Sequence, residues 1–174
     1  MKDKLKRYIK ENMEKKPFFK RLMKSVIYEE EALNTYEESS MSVGGTFYKS
    51  SSINEYIDKT KEEDNFHTLL FKYIDSKGLK DSDVYNKVHI DRRLFSKIRS
   101  DNNYHPKKET VILLGLSLEL TEDEIDKLLE TLSYSLPKNN YFDLIIRFCF
   151  KERIYDIITI NDFLDSYNCK LLDY

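Results

Sequence analysis

The chain has no tryptophan, and its 174 residues include only 4 glycines, 3 prolines and 2 cysteines. So few turn-forming residues argue against a sheet protein built from many hairpins and favour helices joined by short polar loops. Cys149 and Cys169 stand apart with no metal-ligand spacing, which fits reduced thiols in a cytoplasmic protein rather than a disulfide scaffold. No run of 18 apolar residues occurs, and the N-terminal MKDKLKRYIK has no apolar signal core. Neither a membrane span nor export is therefore expected.

Catalytic patterns are missing too. His67, His89 and His105 lie in separate segments without a second ligand three or four residues away, and HExxH, CxxC, nucleophile-elbow and Walker patterns are all lacking. Gly44-Gly45-Thr46 is a poor phosphate loop without a preceding strand or a Lys-Ser/Thr pair. The acidic run Glu122-Asp123-Glu124 opens a helix, where the macrodipole accounts for it. No metal site, cofactor or enzymatic activity is expected.

What the chain does have is rings and blocks of charge. The 13 tyrosines and 10 phenylalanines supply core bulk alongside leucine and isoleucine. The formal net charge of −2 conceals an alternation. Residues 1–24 carry 10 Lys/Arg against 3 Asp/Glu, and 25–65 carry 3 against 10. Residues 66–108 carry 10 against 5, and 109–174 carry 6 against 13. An acidic chain of this kind still offers two basic blocks to a polyanion.

Four regions follow. Residues 1–35 form a basic helical arm: Leu5, Tyr8, Ile9 and Met13 keep helical spacing, Pro17 interrupts, and Phe18, Leu22, Met23, Val26 and Ile27 resume it. The arm either adds phosphate contacts or packs its apolar side on a protein partner or on the acidic blocks. Residues 36–65, rich in serine and poor in clustered apolar residues, read as a linker in which Ile53, Tyr56 and Ile57 are compatible with a short helix. Residues 66–136 form a helical domain, and residues 137–174 a helical extension.

Within the domain, Phe66, Leu69, Leu70, Tyr73 and Ile74 share one helix face, and Gly78 stands where a left-handed residue ends a helix. Val84, Tyr85 and Val88 give a second short helix an apolar side, and Leu94, Phe95 and Ile98 give a third one its own. Asp91 is placed to cap the third helix. Val111 to Leu118 is nearly apolar on all sides and reads as the central helix, and Thr121 with Glu124 is a capping box that starts the next helix at Glu122. Ile125, Leu128, Leu129 and Leu132 form its inward stripe, with Pro137 and the turn Lys138-Asn139-Asn140 ending it.

The stretch KDSDVYNKVHIDRRLFSKI, Lys80 to Ile98, resembles the helix-turn-helix of the phage repressor and Cro family, the xenobiotic-response-element type of regulator. It fits that pattern without a gap, with Ser96-Lys97-Ile98 on the family's usual Ser-Lys-Ile. Pro106 opens the next helix, as a proline commonly does in the family. The resemblance spans about Phe66 to Leu136 and implies an all-α, five-helix repressor-like domain. It also implies sequence-specific binding of double-stranded DNA in transcription regulation, with the second helix of the pair in the major groove. Arg92, Arg93 and Ser96 then face base edges, and Lys97, Arg99, Asn102, Asn103, Tyr104 and Lys107 face the phosphate backbone. Three residues depart from the pattern: Asp81 replaces a phosphate-contacting Gln, Tyr85 a small Ala, and His89 the turn Gly. Asp81 on its own would be repelled by DNA. The alternative is a protein-interaction module that keeps the fold without DNA binding.

The extension has Tyr141, Phe142, Leu144, Ile145, Ile146, Phe148 and Phe150 around most of a helix, then a shorter helix near Asn161. Such an apolar surface either extends the core or makes a homodimer face.

Overall fold

The computed structural model describes residues 1–13 and 65–172, and these residues form one all-helical unit. In chain order the helices are α1 (Lys2–Met13), α2 (Phe66–Ser76), α3 (Asp81–Lys87) and α4 (Arg92–Ser100), then α5 (Lys108–Ser117), α6 (Glu122–Glu130), α7 (Tyr141–Lys151) and α8 (Ile157–Asp165). None of them is long and apolar enough to cross a membrane. The second half of the basic arm and the 36–65 linker, with its helix at Ile53 to Ile57, lie outside the described residues, apart from Asn65, which caps α2.

Helix α5 is buried from Val111 to Ser117, as its apolar stretch requires. It packs on α3 and α6. Gly115 lets α6 approach closely: a Cβ there would fall 2.5 Å from Ile125 Cδ1 and 3.2 Å from Phe150 Cζ. Around α7, Leu144, Ile145, Ile146, Phe148, Cys149 and Phe150 are each at most 1% exposed. Contacts with α1, α6 and α8 cover that surface within the chain. Leu5 and Ile9 of α1 are buried while Lys2, Lys4, Lys6, Arg7 and Lys10 face solvent, and Lys4 pairs with Glu152.

Helix ends explain how the chain manages with 4 glycines. Gly78 closes α2 at φ +63°, and Leu79 N–H donates back to Ile74 O. The same closure recurs without glycine. His89, Glu119, Ser133, Arg153 and Asn168 have φ between 49° and 58° after α3, α5, α6, α7 and α8. In each case the next residue's N–H bonds to a carbonyl in the last turn: Ile90 to Tyr85, Leu120 to Gly115, Tyr134 to Leu129, Ile154 to Cys149, and Cys169 to Leu164. A left-handed residue followed by an inward-facing one satisfies the orphan carbonyls and turns the chain into the core.

Two boundaries differ from expectation. Helix α6 stops at Glu130 because Ser133 closes it, well before Pro137, so Leu132 and Leu136 are buried from the following loop. Pro106 precedes α5 by two residues, with Lys107 at the N-cap.

Candidate nucleic-acid interface

Helices α3 and α4 are joined by the turn Val88 to Asp91. Asp83 accepts from Lys80 N–H at 3.3 Å to start α3, and Asp91 Oδ1 accepts from Arg93 N–H at 2.7 Å and from Leu94 N–H at 3.3 Å to start α4. The left-handed backbone that favours glycine in this turn falls on His89, at φ +54°. Phe95 and Ile98 anchor α4: Phe95 meets the Phe71 ring edge-on at 6.3 Å between ring centres and the Tyr85 ring at 5.5 Å. Ser117 Oγ donates to Val84 O at 2.6 Å and ties α3 to the central helix.

That anchoring turns Arg92, Arg93, Ser96 and Lys97 outward, all exposed. Neither Arg92 nor Arg93 has an ion-pair partner among the described residues. Both stand in the first turn of α4, where the macrodipole disfavours cations by about 0.3–1 kcal/mol each. Packing does not require them, and helix electrostatics works against them.

The candidate backbone residues divide. Asn102, Asn103 and Lys107 are exposed on the segment between α4 and α5. Asn103 N–H is taken by Asp101 Oδ1 at 3.0 Å, which fixes the loop and leaves the amide side chain outward. Lys97 Nζ lies 4.6 Å from the centre of the half-buried Tyr104 ring, so these two form one stacked unit. Arg99 is engaged internally: its guanidinium makes two bonds of 2.5 Å to the Asp81 carboxylate and lies 4.1 Å from the centre of the Phe71 ring. The hydrogen bond to Asp81 holds the Arg99 pKa above its ordinary value. Asp81, a departure from the family pattern, is thus neutralised by a residue expected to meet phosphate.

A cleft of about 380 Å³ lies between α3 and α4, lined by Lys80, Ser82, Arg92 and Ser96 at its polar side, with Tyr85 and Phe95 behind them. Lys80, Ser82 and Tyr85 were not among the site residues expected from the sequence. Their signal was faint, because the first helix of such a pair reads from sequence only as support for the second. Among the described residues no group of three His, Cys, Asp or Glu side chains is placed to hold a metal ion. Comparison with protein-family models, with curated proteins and with solved structures returned no match, so function has to be read from this chain's own residues.

Proposed function

We propose that this protein is a sequence-specific DNA-binding regulator of the repressor/Cro type, with α3, the turn and α4 as its helix-turn-helix. The observation that carries the reading is the pair Arg92–Arg93: two exposed guanidinium groups at the cation-disfavouring end of a helix, without a charge partner among the described residues. An arginine so placed can donate two bonds to guanine O6 and N7 in the major groove, for roughly 1–3 kcal/mol of discrimination. Ser96, one turn along, shares the face. Lys97 with Tyr104, Asn102, Asn103 and Lys107 supply backbone contacts, which position the helix without reading sequence.

Selection from a random duplex library at low salt, followed by fluorescence anisotropy on the winning site, tests the reading. An enriched site is expected, together with affinity that falls with salt by about 0.9 in log–log slope per phosphate neutralised. Arg92→Ala or Arg93→Ala should relax preference at one position of the site, whereas Lys107→Ala should weaken all duplexes alike. No enrichment at any salt would defeat it.

One observation favours the alternative, an interaction module facing a protein. Asp81 and Arg99 cancel each other at the edge of the face, and Tyr85 adds a half-buried ring there. Purification from the native cell with a stoichiometric protein and no nucleic acid would favour that reading.

A further inference from the structure

The Asp81–Arg99 pair is hard to explain by stability alone. Side-chain exposures of 33% for Asp81 and 49% for Arg99 leave it largely in water, where an ion pair contributes about 0–1 kcal/mol. The same side chains line the α3–α4 cleft with Lys80, Ser82, Arg92 and Ser96. Three cations and one carboxylate therefore converge on one concave surface, and the carboxylate is bonded to one of the three. Phe71 holds the back of the Arg99 guanidinium, and Arg99 O accepts a hydrogen bond from His67 Nε2 at 2.9 Å. The ring contact is a hold on the Arg99 guanidinium that does not depend on the Asp81 charge.

We propose that Asp81 attenuates the affinity of this face for phosphodiester, holding in reserve an Arg99 guanidinium that would otherwise bind a backbone phosphate. The inference rests on the DNA reading above and adds to it the residue that limits affinity. Physically, the Asp81 carboxylate is bidentate on the Nε–Nη2 edge of the guanidinium and occupies the paired donors with which that edge would take a phosphate oxygen. Exchanging the carboxylate for an amide removes the competing charge and leaves the guanidinium standing on its ring.

The test is anisotropy of a fluorescein-labelled duplex with the full chain and its Asp81→Asn variant, over a salt series. One extra phosphate contact should steepen the log–log slope by about 0.9, which at 0.1 M salt corresponds to roughly eightfold tighter binding. In Asp81→Asn/Arg99→Gln the gain should vanish and affinity return near that of the wild type. Asp81→Ala serves the same purpose should the amide fail to give a folded protein by circular dichroism. An unchanged affinity and slope in a folded Asp81 variant overturns the proposal. So does a gain that survives in the double variant, which would make it the loss of carboxylate repulsion alone. Wild type and Asp81 variants that all fail to bind any duplex would instead remove the DNA reading, and the attenuation with it.

Discussion

Arg147 on α7 and the Arg92–Arg93 pair on α4 carry the same charged group into opposite surroundings. The Arg147 side chain is 14% exposed, and its guanidinium bonds Asp126 at 2.8 and 2.9 Å, Glu122 at 2.9 Å and the Leu136 carbonyl at 3.1 Å. Burial opposes its charge, but its hydrogen bonds to the Asp126 and Glu122 carboxylates outweigh that and raise its pKa above the ordinary value. Tyr8 of α1 borders the cluster, its hydroxyl pKa raised by burial and then by Glu122. Four of the five N–H donors of Arg147 are thereby taken up by the protein, whereas Arg92 and Arg93 leave theirs to solvent. The first arrangement joins α6, α7 and the loop before α7; the second leaves donors available to another molecule.

If that contrast is right, removing Arg147 should be the most damaging change. Arg147→Ala strands two part-buried carboxylates and the Leu136 carbonyl, and should cost about 2–3 kcal/mol in urea denaturation. A loss under 0.5 kcal/mol would erase the distinction between the two sets. Next comes Gly115→Ala, which probes the tightly packed side through shape alone. Better helix propensity contributes about 1 kcal/mol, but the methyl must displace Ile125 Cδ1 from 2.5 Å. Overpacking of about 1–3 kcal/mol should leave a net destabilisation, read as a lower denaturation midpoint.

On the open side, Arg92→Ala and Arg93→Ala should each leave stability within about 0.5 kcal/mol of wild type, while each costs about 1–3 kcal/mol of discrimination on the selected DNA site. A large stability loss would mean that these arginines belong with Arg147 as part of the fold.

Much of the tightly packed side was legible in the sequence, because burial writes itself into spacing. The unbroken run from Val111 to Leu118, the Thr121–Glu124 box and the Asp91 cap each need only neighbouring residues, and each is present. What was hidden depends on residues far apart: Arg99 with Asp81, Arg147 with Glu122 and Asp126, and Lys108 with the buried Asp143 at 2.5 Å. Charge pairing across 18 to 35 positions leaves no periodic trace. Apart from Gly78 and, through the resemblance, His89, the C-terminal helix ends were hidden for another reason. Glycine is the usual mark of a left-handed closure, and here His89, Glu119, Ser133, Arg153 and Asn168 take its place. For that reason the sequence marks the end of α6 only at Pro137, seven residues beyond Glu130. The outward residues of α4 could be named from a resemblance, but whether each side chain was free or bound required coordinates.

Helix ends also allow a finer comparison, between a carboxylate cap and a left-handed closure that are both confined to the surface. Asp156 begins α8, its Oδ2 accepting from Thr159 N–H at 2.8 Å and Thr159 Oγ1 at 2.6 Å, and these bonds hold its pKa below the ordinary value. A depressed folded pKa means stability that is fully present above the unfolded value and lost as pH falls through the folded one. Asp156→Ala should therefore cost about 1 kcal/mol at neutral pH, and the gap between variant and wild type should narrow below about pH 4. Ser133 tests the other end of a helix. Held at φ +58°, it bears a Cβ that glycine lacks, so Ser133→Gly relieves native strain of about 1 kcal/mol while giving the unfolded chain more freedom. The net should be a small stabilisation, about 0.5 kcal/mol or less, seen as a slightly raised denaturation midpoint with an unchanged slope. A loss instead would mean that the closure of α6 is held by the serine side chain rather than by the Tyr134-to-Leu129 hydrogen bond that the backbone makes without it.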